Sequence, residues 1–369
     1  MDSPETLPLA GLRVLAIEQA VAAPFATLRL ADAGAEVIKI ERPEGDFARG
    51  YDAAANGQSS YFVWLNRGKT SRVLDLKTAS AKAEIEKLLE STDVLVQNLK
   101  PGALERLGFG IERLQQDYPR LITCSISGYG ETGPMSDRKA YDLLIQAEAG
   151  LCSLTGGPDE PARVGISVID IATGATAYSA ILEALIGRSI SGRGSHIGIS
   201  MFDVTAEWLT VPLLNHEAGT PPRRMGLRHP SIAPYGVFET KDGAQILLAV
   251  QSDREWRELC TGFIGNPGPG TDTRFATNVE RVRNREATDA IVAAALKRLS
   301  LEKARAGLMA ANVAFATVND MEGLSNHPHL RRITVETENG PVSYPAPAPR
   351  FLDAPRAYGP VPGLKSLEE

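Results

Sequence analysis

The residue in this sequence best suited to covalent chemistry is Asp170. It lies in the stretch RVGISVIDIATGATAYSAIL, where apolar residues precede it and small helix-forming residues follow. The pattern predicts a strand that ends at Asp170 and a helix that begins there. An aspartate in that place caps the helix, and the helix dipole keeps it ionised. An ionised, partly dry carboxylate is also a nucleophile toward an activated carbonyl, so both roles stay open.

The other catalytic patterns are weaker. GYGETG (128–133) has the spacing of a dinucleotide fingerprint, but Pro134 follows where a helix should open, so a close backbone turn is favoured. The histidines form no HExxH or Cys/His pattern, which argues against a metal site. The five are His196, His216, His229, His327 and His329.

Length and composition predict an ordinary globular protein. The 369 residues exceed a soft prior of roughly 150 per domain, which indicates about two domains. A formal charge of -6 without long single-sign runs argues against a nucleic-acid or anionic membrane partner. Three cysteines without CxxC spacing predict no disulfide framework, so we expect a cytoplasmic protein. There is no signal-peptide pattern at the N-terminus and no uncharged apolar run of about 18 residues, which predicts no membrane span.

The first two hundred residues alternate strand and helix patterns, which predicts an α/β fold with a mainly parallel sheet. The predicted strands are 12–18, 36–41, 71–77, 93–98, 121–127, 163–170 and 195–200. The predicted helices are 24–34, 80–92, 112–119, 141–151 and 201–214, with a further helix after Asp170.

The composition changes at EAGTPPRRMGLRHPSIAP (217–234), a Pro, Gly and Arg-rich segment that predicts a linker or long functional loop. A hairpin turning at Lys241–Gly243 and helices from about 254 to 324 follow, and we predict a smaller second domain there. The predicted boundaries are 1–216 for the first part of the large domain, 217–326 for the small domain, and 327–369 for a return to the large domain.

Four stretches together resemble a known family. They are LPLAGLRVLAIEQAVAAPFATLRLADAGAEVIKIERPEGD, VLVQNLKPGALERLGFG, SISGYGETGPMSDRKAYDLLIQAEAGLCSLTG and PARVGISVIDIATG. In this order and spacing they are similar to class III coenzyme A transferases, the superfamily of formyl-CoA transferase, carnitine CoA-transferase and 2-methylacyl-CoA racemase. The resemblance implies a Rossmann-like large domain, a smaller α+β domain and an interlocked homodimer. It also implies CoA and its thioesters as substrates, with no permanently bound cofactor.

Tyr141 favours one chemistry of the superfamily over the other. Racemase members have a histidine in the segment that reads KAYDLLIQ here, and it forms an acid/base pair with the later aspartate. This chain has Tyr141 instead. Two-base proton exchange would lack one base, so the resemblance favours CoA transfer, and 2-methylacyl-CoA racemisation is the alternative.

The resemblance assigns roles by motif match. Asp170 would form a mixed anhydride and then an aspartyl-CoA thioester, Gln19 would bind the reacting acyl centre, and Tyr141 would complete the catalytic set. A further set of residues would line the CoA path, where basic side chains suit the phosphates. They are Arg42, Leu74, Lys77, Asn98, Leu99, Arg106 and Lys139.

The predicted acceptor acid rests on a difference between this chain and the formyl-CoA transferases. Formyl-CoA transferases have a glycine run over the intermediate, whereas this chain reads GLRHPSIAPYG, which argues against formyl or oxalyl substrates. Arg228 and His229 in that loop would bind a second carboxylate, as expected for succinyl-CoA with itaconate, mesaconate or citramalate. Two further alternatives are CoA transfer within one dicarboxylyl-CoA and a CoA-sensing protein without turnover.

Overall fold

The computed structural model describes residues 7–352 and 355–364. Within them the chain forms two compact units. The first comprises 7–152, 163–213 and the described residues from 331 onward, and the second comprises 153–162 and 214–330. The predicted domain boundaries did not anticipate that 153–162 groups with the second unit.

A parallel sheet organises the first unit. In the described residues its strands are β1 (Arg13–Ile17), β2 (Glu36–Glu41), β3 (Lys69–Val73), β4 (Val94–Gln97), β5 (Ile122–Ser127) and β6 (His196–Ser200). Their spatial order is β3-β2-β1-β4-β5-β6, with every neighbouring pair parallel. The order reverses between β1 and β4, and a crevice at such a point is where doubly wound sheets bind ligands. The predicted mainly parallel α/β fold is confirmed.

Helices accompany this sheet. They are α1 (Ala22–Asp32), α2 (Ser60–Asn66), α3 (Ala79–Leu89), α4 (Ala103–Arg106), α5 (Ile111–Asp117), α6 (Asp142–Glu148), α7 (Val168–Ser191), α8 (Met201–Trp208) and α9 (Thr210–Glu217). Two separate apolar clusters pack against the strands, one containing α1 and α7 and the other α3, α4 and α5. The sheet is therefore covered on both faces.

Helices α1 and α7 pack unusually closely. Ala22, Ala26, Ala172 and Ala177 are all buried in their shared core. A Cβ at Gly174 would lie 2.4 Å from the carbonyl oxygen of Ala22, so only glycine fits there. The small side chains let the backbone that carries Asp170 lie directly beside α1.

Helix α7 is long and apolar enough to cross a membrane by length and composition alone. Its side chains Ala172, Ala177 and Ile181 pack in the core, and its Arg188 forms an ion pair with Asp93 at 2.9 Å. A single helix of this kind is weak support for a membrane span, because core helices of globular proteins share its composition. The prediction that no segment spans a membrane remains a prediction.

The second unit contains an antiparallel sheet. In the described residues its strands are β7 (Tyr235–Glu239), β8 (Gln245–Ala249) and β9 (Ala314–Thr317), in the order β7-β8-β9. The helices are α10 (Asp253–Glu258), α11 (Gly268–Thr271), α12 (Asn278–Arg283), α13 (Arg285–Leu296), α14 (Leu301–Ala310) and α15 (Met321–Ser325), with a π-helical segment at Leu259–Ile264. The fully buried Trp256 lies in the core between them. The predicted hairpin is present, whereas β9 lies inside a region predicted to be helical.

The chain returns to the first unit through β10 (Arg332–Val335) and β11 (Val342–Pro345), an antiparallel pair. Arg67 ties this return to the sheet: its guanidinium lies over the rings of Tyr344 and Tyr358 and ion-pairs with Asp32. The amide N–H of Gly68 donates to the carbonyl of Pro360. The return therefore packs on the edge of the sheet that holds β3.

The structure corrects the strand predicted before Asp170. Residues 163–167 have no regular secondary structure, and α7 begins at Val168, so Asp170 is its third residue rather than its cap. The backbone N–H of Val164 donates to the Oε1 of Gln146 instead of to a strand neighbour. Smaller corrections are that β3 ends at Val73 rather than 77, and that α1 begins at Ala22, ahead of Pro24.

Candidate active site

Two cavities lie in the first unit at the carboxyl ends of its parallel strands. The first has a volume of about 380 Å³ and is mostly apolar, with basic side chains among its lining residues. It contains Gln19, Arg42, Leu74, Lys77, Leu99 and Arg106. Apolar surface beside separate cations is an arrangement that suits a nucleotide with its phosphates.

The second cavity is larger, with a volume of about 820 Å³. It shares Gln19, Leu99 and Arg106 with the first cavity. Asn98, Lys139, Tyr141 and Asp170 also line it. Every predicted catalytic and CoA-path residue therefore lies in one of two cavities that have lining residues in common. Their individual roles stay predictions.

A second carboxylate, Asp142, caps the helix that carries Asp170. Its Oδ2 accepts the N–H groups of Ile169 at 2.7 Å and of Asp170 at 3.1 Å. Ser167, the residue before the helix, makes no capping bond, because its hydroxyl lies 3.1 Å from that of Tyr61. The expectation that Asp170 itself caps the helix was wrong, and its carboxylate is left available to a ligand.

The carboxyl group of Asp170 has a pKa close to neutral pH. Burial raises the pKa of its carboxyl to about 7, and the nearby charge of Asp142 adds to the effect. The sequence had led us to expect a carboxylate held fully ionised by the helix dipole. The difference arises first because the carboxyl is buried, and second because Asp142 occupies the capping position and brings a like charge close.

Gln19 is held at the point where the order of the sheet reverses. The side-chain amide of Asn98 accepts the N–H of Gln19 at 3.0 Å and donates to its carbonyl at 2.8 Å. Asn98 lines the larger cavity, its predicted place on the CoA path stays a prediction, and its side chain forms a reciprocal clasp that joins the loops after β1 and β4. The clasp fixes the backbone of Gln19 and leaves its side chain unconstrained.

The residue after Gln19 is also restrained. Ala20 has a φ of +63°, a left-handed conformation that residues with a Cβ seldom adopt. Its N–H donates to Asp46 Oδ1 at 3.1 Å, and Asp46 Oδ2 lies 2.8 Å from the fully buried ammonium of Lys39. This buried ion pair stabilises the strained turn that presents Gln19.

Three aromatic side chains that the sequence did not single out line the second cavity. The rings of Phe47 and Tyr51 lie 5.7 Å apart, and those of Tyr51 and Tyr61 5.6 Å apart. Burial, and then the charges of Asp46 and Asp170, raise the pKa of Tyr51 to about 12, so its hydroxyl stays a hydrogen-bond donor. The available signal was their position in the connection between the parallel strands β2 and β3.

Asp142 was also missed. The signal was its place beside Tyr141 in KAYDLLIQ, the segment that distinguishes transferases from racemases by resemblance. Tyr141 precedes α6 and is 59% exposed, whereas Asp142 is 8% exposed. Tyr141 is thus exposed and lines the cavity, whereas the carboxylate of Asp142 accepts backbone N–H groups of α7.

Arg228 and His229 lie in the second unit. The His229 ring stacks on Tyr235 at 5.3 Å, and Arg285 donates to the carbonyl of His229 at 2.8 Å. Burial raises the pKa of the Asp289 carboxyl, and the charges of Arg285 and then of Arg228 partly oppose that rise. Their predicted contact with a substrate carboxylate stays a prediction.

Among residues 7–352 and 355–364, no group of three or more His, Cys, Asp and Glu side chains is placed to hold a metal ion. The GYGETG loop is a turn, with positive φ at Gly130 and Gly133 and no helix opening behind it. It does not form the strand-to-helix turn that a dinucleotide pyrophosphate requires.

These features define an α/β protein in which a reactive carboxylate and basic side chains meet at one edge of a parallel sheet. The sequence model of the family described as CoA-transferase family III matches residues 9–364 of the chain. The chain therefore belongs to that family of enzymes. Enzymes of this family use CoA thioesters as substrates.

Individual relatives agree with the family. The chain is 36% identical over 349 residues to a succinate--glutarate CoA-transferase of Agrobacterium fabrum, covering 91% of this chain and 87% of that protein. It is 38% identical over 345 residues to an acetyl-CoA:oxalate CoA-transferase of Acetobacter aceti, covering 92% and 87%. A crystal structure of a CAIB/BAIF family protein from Brucella suis matches with a TM-score of 0.82 and 35% identity, covering 96% and 95%.

Proposed function

We propose that this enzyme transfers CoA from succinyl-CoA to a dicarboxylic acid, with Asp170 as the covalent nucleophile. The observation that carries the proposal is the Asp170 carboxylate itself. It lines the larger cavity, its capping role is taken by Asp142, and it forms no ion pair with another described residue. A carboxylate that is not needed to cap a helix and whose pKa lies near neutral pH is suited to attack a thioester.

The reaction proceeds through two acyl exchanges. An Asp170 oxygen attacks the thioester carbonyl of succinyl-CoA, the C–S bond breaks, and a mixed anhydride forms with release of the CoA thiolate. The thiolate then attacks the aspartyl carbonyl, which releases succinate and leaves an aspartyl-CoA thioester. The acceptor carboxylate attacks this thioester and displaces the thiolate, which finally attacks the acceptor's acyl carbonyl. Asp170 is regenerated and the thioester energy is conserved.

Other residues have separate tasks in this scheme. The Gln19 side chain, presented by the clasped loop, hydrogen-bonds the reacting acyl oxygen. Lys77 and Arg106 lie among the basic residues of the smaller cavity and bind phosphates of CoA. Tyr51 and Tyr141 line the larger cavity and supply hydroxyl groups near the acyl group.

Dicarboxylates are the proposed acceptors. Two relatives carry glutarate and oxalate in their names, and both are dicarboxylic acids. The Acetobacter relative names oxalate, so the loop that replaces the glycine run does not by itself exclude oxalate here. An acceptor screen with succinyl-CoA should include glutarate, itaconate, mesaconate, citramalate and oxalate, and we expect the longer acids to give the highest kcat/KM.

Mass spectrometry tests the nucleophile. Incubation with succinyl-CoA and no acceptor should add one CoA, less water, to the peptide that contains Asp170. Asp170→Asn should form no adduct and should lower kcat by at least about a thousandfold, because the covalent path is lost. Asp203→Asn, at an exposed carboxylate in α8, is the matched control and should behave as the wild type. Normal transfer by Asp170→Asn would refute the mechanism.

A further inference from the structure

Arg163 is a cation of the larger cavity to which neither the sequence nor the scheme above gives a role. It lines the same cavity as Asp170 and lies seven residues before it in the chain. The other cations of this cavity are Lys100, Arg106, Arg138 and Lys139. Arg106 and Lys139 were assigned to the CoA path, and Arg163 is the cation on the segment that leads into α7.

Two buried side chains hold the backbone on both sides of this segment. Gln146 is fully buried, accepts the N–H of Val164 at 2.9 Å, and donates to Asp142 Oδ1 at 2.5 Å. Asp142 in turn accepts the N–H of Asp170 at 3.1 Å. The backbone beside Arg163 and the backbone of Asp170 are therefore fixed to the same pair of side chains.

The guanidinium of Arg163 is unpaired. Within the residues that the structure describes it forms no hydrogen bond or ion pair, whereas Arg138 binds Glu148 at 3.3 Å and lies over the Tyr129 ring at 5.5 Å. No cation lowers the pKa of Asp170, whose charged neighbour is Asp142. Arg163 thus shares a cavity with the nucleophile without neutralising it.

We propose that Arg163 binds the distal carboxylate of the dicarboxylic substrate while the proximal carboxylate reacts at Asp170. This inference rests on the proposed function and names the residue that selects dicarboxylates. A guanidinium binds a carboxylate through two parallel hydrogen bonds, which fixes orientation as well as charge. A cation too close to Asp170 would instead form an ion pair with the nucleophile and lower its reactivity.

The same role was predicted for Arg228, and the structure offers a reason to prefer Arg163. Arg163 lines the cavity that contains Asp170, whereas Arg228 lies in the second unit and is not among the residues that line this cavity. The two arginines therefore serve as internal controls for each other.

Steady-state kinetics with matched acceptors test the inference. Glutarate and pentanoate have the same chain length and differ in the distal carboxylate. Arg163→Ala should raise the KM for glutarate about ten- to hundredfold, the loss expected for charge-assisted hydrogen bonds, and leave the KM for pentanoate within about twofold. Arg163→Lys should recover part of the affinity, because lysine keeps the positive charge but cannot make the two parallel hydrogen bonds of a guanidinium. Arg193→Ala, at an exposed arginine outside both cavities, should match the wild type.

The donor half-reaction gives a second readout. Arg163→Ala should slow adduct formation from succinyl-CoA, which has a distal carboxylate, and not from butyryl-CoA, which lacks one. Equal losses with both donors and both acceptors, or wild-type values with both, would overturn the inference. So would a glutarate-selective loss in Arg228→Ala together with none in Arg163→Ala.

Calorimetry separates this inference from the proposed reaction. We expect glutarate to bind the CoA-saturated wild type and to bind Arg163→Ala at least tenfold more weakly. Arg163-dependent binding without any aspartyl adduct would refute the reaction and keep the inference. Adduct formation with unchanged glutarate binding in Arg163→Ala would keep the reaction and refute the inference.

Discussion

Asp170 meets two opposing demands. The proposed reaction needs a carboxylate in a site dry enough to protect the anhydride and thioester from water, yet dryness disfavours the charged form. The protein places the carboxylate at the start of α7 and assigns the capping of that helix to Asp142. The proposed nucleophile therefore has a pKa of about 7 rather than the ordinary 3.8.

The pH profile of the donor half-reaction should report this pKa. Because the ionised carboxylate is the proposed nucleophile, kcat/KM for succinyl-CoA should rise with pH and level off above about 7. Below that value it should fall about tenfold per pH unit, since the ionised fraction shrinks by that factor.

Asp142→Asn provides the control for this profile. Its amide oxygen still accepts the N–H groups of α7, its NH2 group no longer accepts the bond from Gln146, and the like charge beside Asp170 is gone. The acid limb should therefore move to lower pH, without reaching the ordinary aspartate range, because burial is the larger cause of the shift. An acid limb at the same pH in wild type and variant would show that the charge of Asp142 does not act on Asp170.

At the scale of elements, the loops after β1 and β4 act together. The reciprocal bonds between Asn98 and Gln19 cross the point where the sheet order reverses, and Asp46 holds the strained residue that follows. Ligand sites at such crevices depend on loops from strands far apart in sequence. A side-chain clasp makes the two loops one rigid element.

Asn98→Ala tests the clasp against direct CoA binding. If Asn98 positions Gln19, its loss should lower kcat about ten- to hundredfold and change the KM for succinyl-CoA by less than about threefold, because a misplaced catalytic group affects the transition state. The double variant with Gln19→Ala should be no slower than Gln19→Ala alone. A raised KM with unchanged kcat would restore the predicted role of Asn98 as a CoA contact.

The sequence predicted the elements that local patterns determine. The apolar runs around Val14, Ile38 and Thr123 marked strands correctly, because buried parallel strands are continuous and apolar. The segment before Asp170 has the same composition but is not a strand, since its amide at Val164 bonds to the side chain of Gln146. A partner that is distant in sequence made this difference, and local patterns do not contain it.

In the candidate site, too, local motifs identified some residues and missed those whose role depends on partners distant in sequence. Motif matches singled out Asp170, Gln19 and the basic CoA-path residues, all of which line one of the two cavities, and their roles stay predictions. Residues whose importance lies in their contacts, such as Asp142 and Tyr51, were not found, because an aspartate or tyrosine in a loop has no local signature of a distant partner. Arg163 was passed over because its segment was predicted to be a strand.

At the scale of the whole molecule we expect a homodimer. Helices α8 and α9 expose Trp208, Val211 and Leu213, which are 60%, 67% and 51% exposed. Apolar side chains clustered on adjoining helices are typical of a protein interface. Native mass spectrometry should give twice the 39.5 kDa of the single chain, and an interlocked pair should not dissociate on dilution to nanomolar concentration. A monomer under these conditions would contradict the expectation.

The clasp on Gln19 has a consequence for engineering. The Asn98 side chain bonds to main-chain atoms of Gln19, so these bonds do not depend on the side chain at position 19. The side chain proposed to meet the acyl group can therefore be changed without removing them. A saturation library at position 19 would sample new acyl preferences on an unaltered scaffold, which makes this position a natural starting point for directed evolution.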